Sequence, residues 1–106
     1  MCGLLLILTM NTPMSNQLED ADAIEQRVDS LLAEMSLEEK IGQMNQVNGG
    51  DDFVADHLRH DLQSGRVGSV LNVVNVETVN EMQRIVVEES RLGIPLLIGR
   101  DVIHGF

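Results

Sequence analysis

The sequence predicts an α/β fold with parallel strands, on three observations. Val67-Gly68-Ser69-Val70-Leu71-Asn72 is short, β-branched and bounded by turn residues, which is the signature of a strand. Residues 77–91 carry Val79, Met82, Ile85 and Val86 at helical spacing. Pro95-Leu96-Leu97-Ile98 is an apolar run of strand length without polar alternation, as in a strand buried on both faces. Strand, helix and strand within about 35 residues make one βαβ unit, whose strands run parallel.

In chain order, Gly3 to Met10 is an apolar run, too short to span a bilayer, which takes ~20 helical residues. No Lys or Arg precedes it and no small-x-small cleavage site follows it. Residues 1–17 are therefore expected to be a degenerate signal segment and a polar linker, Asn11 to Gln17, disordered around Pro13. The alternative is a frayed apolar terminus. The run points to a periplasmic or secreted protein.

The first helix is expected over 22–35, with Ile24, Val28, Leu31, Leu32 and Met35 in one apolar stripe. Ser36-Leu37-Glu38-Glu39 is a capping box: the Ser hydroxyl satisfies a free amide while Glu39 reaches back to the cap. It opens a helix over 37–46 with Leu37, Ile41 and Met44 on its buried side. Asn48-Gly49-Gly50-Asp51 is a loop by composition. A third helix over 53–64 places Val54, Leu58 and Leu62 on one face and stops at Ser64-Gly65. Thr78-Val79-Asn80-Glu81 is a second candidate capping box, opening the 77–91 helix. Gly93 and Pro95 end that helix, because Gly tolerates the left-handed position and Pro cannot continue a helical ladder. Strands are expected over 67–72 and 95–100.

Composition narrows the function. Aromatics are 2% of the 106 residues, with neither Trp nor Tyr, so no aromatic platform for bases or sugars can be built from this chain alone. A formal charge of −10 argues against nucleic acid and anionic membrane surfaces as partners. Glu38, Glu39, Glu77 and Glu81 are expected at helix starts, where they favour the dipole. Cys2 is the only cysteine, which rules out an internal disulfide and a cysteine metal cluster. His57 and His60 are three apart on a helix. Exposure beside Asp56 and Asp61 outweighs a shared metal there, and no metal or cofactor is expected.

Chemistry concentrates at the end of the closing strand. Asp101 and His104 follow it, and in parallel α/β folds ligands bind just past the carboxyl ends of strands. The two could form an acid–base pair, although such residues more often hold a loop or bind a hydroxyl. There is no dinucleotide glycine pattern, no phosphate-binding Gly-Lys-Ser/Thr and no G-x-S-x-G elbow.

Four segments together resemble the N-terminal part of glycoside hydrolase family 3 enzymes of the β-glucosidase type. Ser36-Leu37-Glu38-Glu39-Lys40-Ile41-Gly42-Gln43-Met44 is similar to the family's opening helix. Gly65 to Asn72 resembles its first barrel strand, and Asn80-Glu81-Met82-Gln83 the start of the following helix. Ser90 to Phe106, with Gly99-Arg100-Asp101-Val102-Ile103-His104-Gly105 at its centre, is the most specific segment and resembles the second strand and sugar-gripping loop.

The resemblance implies the N-terminal part of a (β/α)8 barrel over 18–106, truncated to two parallel strands plus helices; a whole barrel takes ~250 residues. It implies that Asp101 binds hydroxyls of the terminal sugar and that His104 and Gly105 shape the loop. Val102-Ile103-His104-Gly105, in place of the Glu-Gly-Gly of N-acetylglucosamine-cleaving relatives, favours a β-glucoside or β-xyloside as substrate. The family's nucleophilic aspartate and general acid lie downstream, so no catalytic residue is expected in this chain, and the chain alone is expected to be inactive. The alternative is a non-catalytic sugar-binding or interaction module.

Overall fold

The computed structural model describes residues 14–50 and 52–105. Cys2, the apolar run Gly3 to Met10, the first residues of the expected linker, Asp51 and Phe106 lie outside the described residues. Two compact units divide the chain after Ala33. The first contains all but the last residue of helix α1, Met14–Glu34. The helix starts within the expected linker, because no Gly or Pro interrupts the chain between Met14 and Glu34 and propagating a helix costs little. Its apolar stripe is real but open: Ile24, Val28 and Leu32 are exposed.

The second unit carries three parallel strands, one more than expected. They are β1 (Gln46–Asn48), β2 (Ser69–Leu71) and β3 (Leu97–Gly99), adjacent in chain order. β2 and β3 pair parallel in the register Ser69 to Leu97, Val70 to Ile98 and Leu71 to Gly99. β1 pairs parallel with β2, Val47 opposite Val70. The segment likened to a first barrel strand is thus the second strand of the sheet, and the Leu97–Gly99 segment is the third. β1 escapes sequence reading because Gln46-Val47-Asn48 has one apolar residue and merges with the Gly49-Gly50 loop signal.

Helix α2 is Leu37–Gln43, shorter than the 37–46 expected. Its capping box is formed: the Glu39 N–H donates to Ser36 Oγ at 3.2 Å and the Ser36 N–H to Glu39 Oε2 at 2.8 Å. The expected buried side is wrong. Leu37, Ile41 and Met44 are exposed, and the residue of α2 that is buried is Gly42. A Cβ on Gly42 would lie 2.0 Å from the Gly65 carbonyl oxygen, and one on Gly68 would lie 2.4 Å from that of Gln43. Backbone packs on backbone here, so the face of α2 that turns inward is the one without side chains. Asn45 completes the seam, its Nδ2 donating to the Arg66 carbonyl at 2.9 Å.

Helix α3 (Asp56–Gln63) buries Leu58 and Leu62 as its periodicity predicts, and Gly65 follows its cap at φ +68°. Helix α4 (Val76–Arg84) starts earlier than the Thr78 box implies. Its cap is Asn75, whose Oδ1 accepts from the Thr78 N–H at 3.0 Å. Thr78 is buried instead, donating its hydroxyl to the Asp52 carbonyl at 2.9 Å. Glu81 consequently sits within the helix rather than at its start, and pairs with Arg84 and Arg59. A π-helical turn, Ile85–Glu89, extends α4, and both Ile85 and Val86 are buried. Gly93 then takes φ +61°, as the stop signal requires.

Leu58, Leu62, Val67, Val70, Val73, Met82, Ile85, Val86 and Leu96 form the core, with Val47, Val54 and Val79 packed against it. Gln83 of α4 locks β3 to this layer. Its side-chain amide donates to the Leu96 carbonyl at 2.9 Å and accepts from the Leu96 N–H at 3.1 Å. Leu97, on the opposite face of β3, is 75% exposed. Arg91 joins the turn before β3 to the start of α2: it forks onto the Glu39 carboxylate and donates to the Glu34 carbonyl at 2.9 Å.

Two outcomes follow. Gly42→Ala and Gly68→Ala force backbone apart and lower stability by about 1–3 kcal/mol or more, whereas Gly50→Ala, where space is open, stays within about 0.5 kcal/mol in urea titrations. The second concerns acid. The Arg91 fork, then the Ser36 amide, hold Glu39 at about 2 against an ordinary 4.5, and Arg84, then Arg59, do the same for Glu81. A depressed folded pKa contributes stability that is present above the unfolded value and lost as pH falls through the folded one. The urea midpoint therefore drops between about pH 5 and about pH 2. Arg91→Gln removes the larger part of the Glu39 share, leaving that of the Ser36 amide, and flattens that drop.

Candidate functional site

Parallel strands end together, and their last backbone groups decide what stands at that end. The Gly49 N–H donates to the Leu71 carbonyl at 2.9 Å, carrying the β1–β2 ladder to the end of β2. The Asn72 N–H donates to the Gly99 carbonyl at 2.9 Å, doing the same for β2 and β3. Gly49 is buried there, and a Cβ on it would lie 2.6 Å from both Val70 and Val73 side chains.

Asp101 lies two residues past β3, at the carboxyl end of the sheet and beyond the third strand rather than a second. Its main-chain N–H donates to Asn72 Oδ1 at 2.9 Å. Asn72 is the one non-glycine at positive φ among the described residues, at +67°. Asn tolerates that region because its short polar side chain bonds locally.

The chain then turns through Ile103-His104, and Gly105 takes φ +85°, a conformation suited to glycine. Arg100, Asp101, Val102, Ile103, His104 and Gly105 line one open concavity. Asp101, His104 and Gly105 are thus brought into a single exposed loop. Among the described residues no hydrogen bond or ion pair joins Asp101 to His104, so the loop does not form an acid–base dyad. What it offers is an exposed carboxylate, an acceptor for hydroxyl donors with charge-assisted strength.

Sequence reading missed the contact of Asn72 with the Asp101 loop. The available signal was an Asn directly after a short buried β-branched run, where a parallel strand must turn off its sheet. A separate, smaller cavity of about 20 Å³ lies among residues that include Glu39, Gly65, Val67, Arg91 and Ile94, near the chain entering β2 and β3. That volume has room for about one water and is too small for a sugar. His57 and His60 are both exposed on α3, and among the described residues no three His, Cys, Asp or Glu side chains could share a metal ion. No described helix is long and apolar enough to cross a membrane.

Comparison with known proteins identifies the family of the sequence. Residues 36–106 match the glycosyl hydrolase family 3 N-terminal domain. A periplasmic beta-glucosidase of Salmonella typhimurium is 36% identical over 95 residues, covering 90% of this chain and 12% of that protein. A lysosomal beta glucosidase of Dictyostelium discoideum is 28% identical over 101 residues, covering 74% and 12%. A putative beta-xylosidase of Formosa agariphila is 31% identical over 97 residues, covering 77% and 13%. The chain thus spans about an eighth of the length of these relatives. The match begins at the Ser36 cap and takes in the Gly42 seam, all three strands and the Asp101 loop, and on it this chain belongs to glycosyl hydrolase family 3, within the family's N-terminal domain.

Proposed function

We propose that this chain forms the opening strands of a (β/α)8 barrel and contributes Asp101 to a glycosidase that removes terminal β-linked glucose or xylose with retention. Two features support the barrel: three parallel strands adjacent in chain order, and a β3 whose Leu97 is open to solvent. A doubly wound sheet reverses strand order at a switch point, whereas a barrel adds strands in sequence.

The observation that carries the functional reading is the exposed Asp101 carboxylate just past the carboxyl end of β3. That is the end of a parallel sheet where barrel enzymes build their sites. The names of the relatives, two beta-glucosidases and a putative beta-xylosidase, suggest the sugar. The periplasmic and lysosomal names suggest an exported enzyme.

Asp101 acts by accepting hydroxyl hydrogens of the non-reducing sugar. Those bonds tighten as the ring flattens toward an oxocarbenium-like transition state, so they lower the barrier as well as hold the ground state. His104 and Gly105 shape the loop around it. Retention requires a nucleophile and an acid about 5–5.5 Å apart, and that pair is supplied by residues other than these.

Purified chain 1–106 should not turn over an aryl β-glucoside above background. In the protein translated from its complete reading frame, Asp101→Asn keeps the shape and removes the charge. It should lower kcat/KM by about tenfold or more, since each charge-assisted bond contributes about 1.5–3 kcal/mol. A slow-turnover fluorosugar should still label an aspartate other than Asp101. Unchanged kcat/KM, or label on Asp101 itself, would overturn the assignment.

A further inference from the structure

The paired register of β2 and β3 ends with Leu71 opposite Gly99, and one further step of it would set Asn72 opposite Arg100. In a parallel ladder a residue donates its N–H to the residue before its partner and accepts from the residue after it. Asn72 meets the first condition in the ordinary way, donating to the Gly99 carbonyl at 2.9 Å. The second bond is made, but not by the main chain. The Asp101 N–H goes to the Asn72 side-chain oxygen at 2.9 Å. The cause is the backbone of Asn72: φ of +67° turns its own carbonyl out of the ladder and sends the chain on to Val73, which is buried. A side-chain amide carbonyl on the same residue stands in for the one withdrawn.

We infer that Asn72 is a positioning residue for Asp101: it extends the β2–β3 ladder by one residue through its side chain, so that β2 can turn away while Asp101 is held at a fixed point beyond the sheet. Only a residue that tolerates positive φ and carries a short acceptor can do both, which restricts the position to Asn or Asp. Glycine meets the first requirement and fails the second; alanine fails both. The inference rests on the reading of Asp101 as a sugar ligand for its functional half, while its structural half stands on the ladder alone.

The test uses the protein translated from its complete reading frame, with Asn72→Gly, Asn72→Ala, Asn72→Asp and Asp101→Asn. Hydrogen exchange at the Asp101 amide is measured beside kcat and KM for an aryl β-glucoside. Asn72→Gly removes the bond without backbone strain. It should speed exchange at Asp101 about tenfold or more and lower kcat/KM about tenfold, with thermal unfolding near that of the parent. Asn72→Ala should match it in kinetics and be less stable. Asn72→Asp should restore both amide protection and kcat/KM to within about threefold, a rescue that a packing role would not produce.

Unchanged Asp101 exchange in Asn72→Gly overturns the ladder extension. Lost protection with unaltered kinetics overturns the positioning role. If Asp101→Asn leaves kcat/KM untouched, it is the sugar-ligand reading that fails, and the exchange data still decide the ladder.

Discussion

The whole second unit depends on backbone meeting backbone between the end of α2 and the approach to β2. Gly42 lies against Gly65 and Arg66, and Gly68 against Gln43, at separations where any side chain would collide. Because α2 is drawn in so closely, the chain leaving it at Asn45 reaches the Gly68 and Ser69 amides, which donate to the Asn45 carbonyl. That sets β1 beside β2 in a parallel register that three residues on a nearly polar strand could not specify alone. The cost is that the apolar side of α2 faces outward, since a helix can bury only the face pressed against its neighbour.

Around that seam the polar contacts work as ties between elements distant in sequence. Arg91 reaches Glu39 across 52 residues, and Gln83 satisfies both backbone groups of Leu96. The Gln83 amide serves Leu96 as a neighbouring strand would, supplying one donor and one acceptor to an edge that would otherwise keep both open. These ties sit along the approach to β2 and β3, leaving the opposite, carboxyl end to Asn72 and the Asp101 loop. The two ends of the sheet thus differ: side-chain ties bind its entry end to the helices, and a short polar loop stands at its exit end.

The chain's own residues settled a good deal before any tertiary contact. The Ser36 box, the Leu58 and Leu62 face, the inward line of Val79, Met82, Ile85 and Val86, and the left-handed Gly93 all follow from local chemistry: caps, 3.6-residue periodicity and glycine's freedom at positive φ. The parallel pairing of β2 with β3 followed from the same signals, because a helix of that length between two short apolar runs leaves a crossover as the connection. The Asp101 loop was legible because it follows a strand's carboxyl end.

What the tertiary structure decided was everything set by a neighbour's shape. Gln46-Val47-Asn48 became a strand because the Gly42 and Gly68 seam delivers it to β2, not because of its propensity. Leu37, Ile41 and Met44 face outward because the inner face of α2 had to be free of side chains. Glu81 left the helix start because Asn75 outcompeted Thr78 as the cap, and Thr78 was claimed by the Asp52 carbonyl. Asn72 shows the division most clearly. Its residue type permits positive φ, which the sequence alone determines. That its side chain should complete the ladder to Asp101 depends on β3 lying alongside in that register, which only the folded sheet supplies.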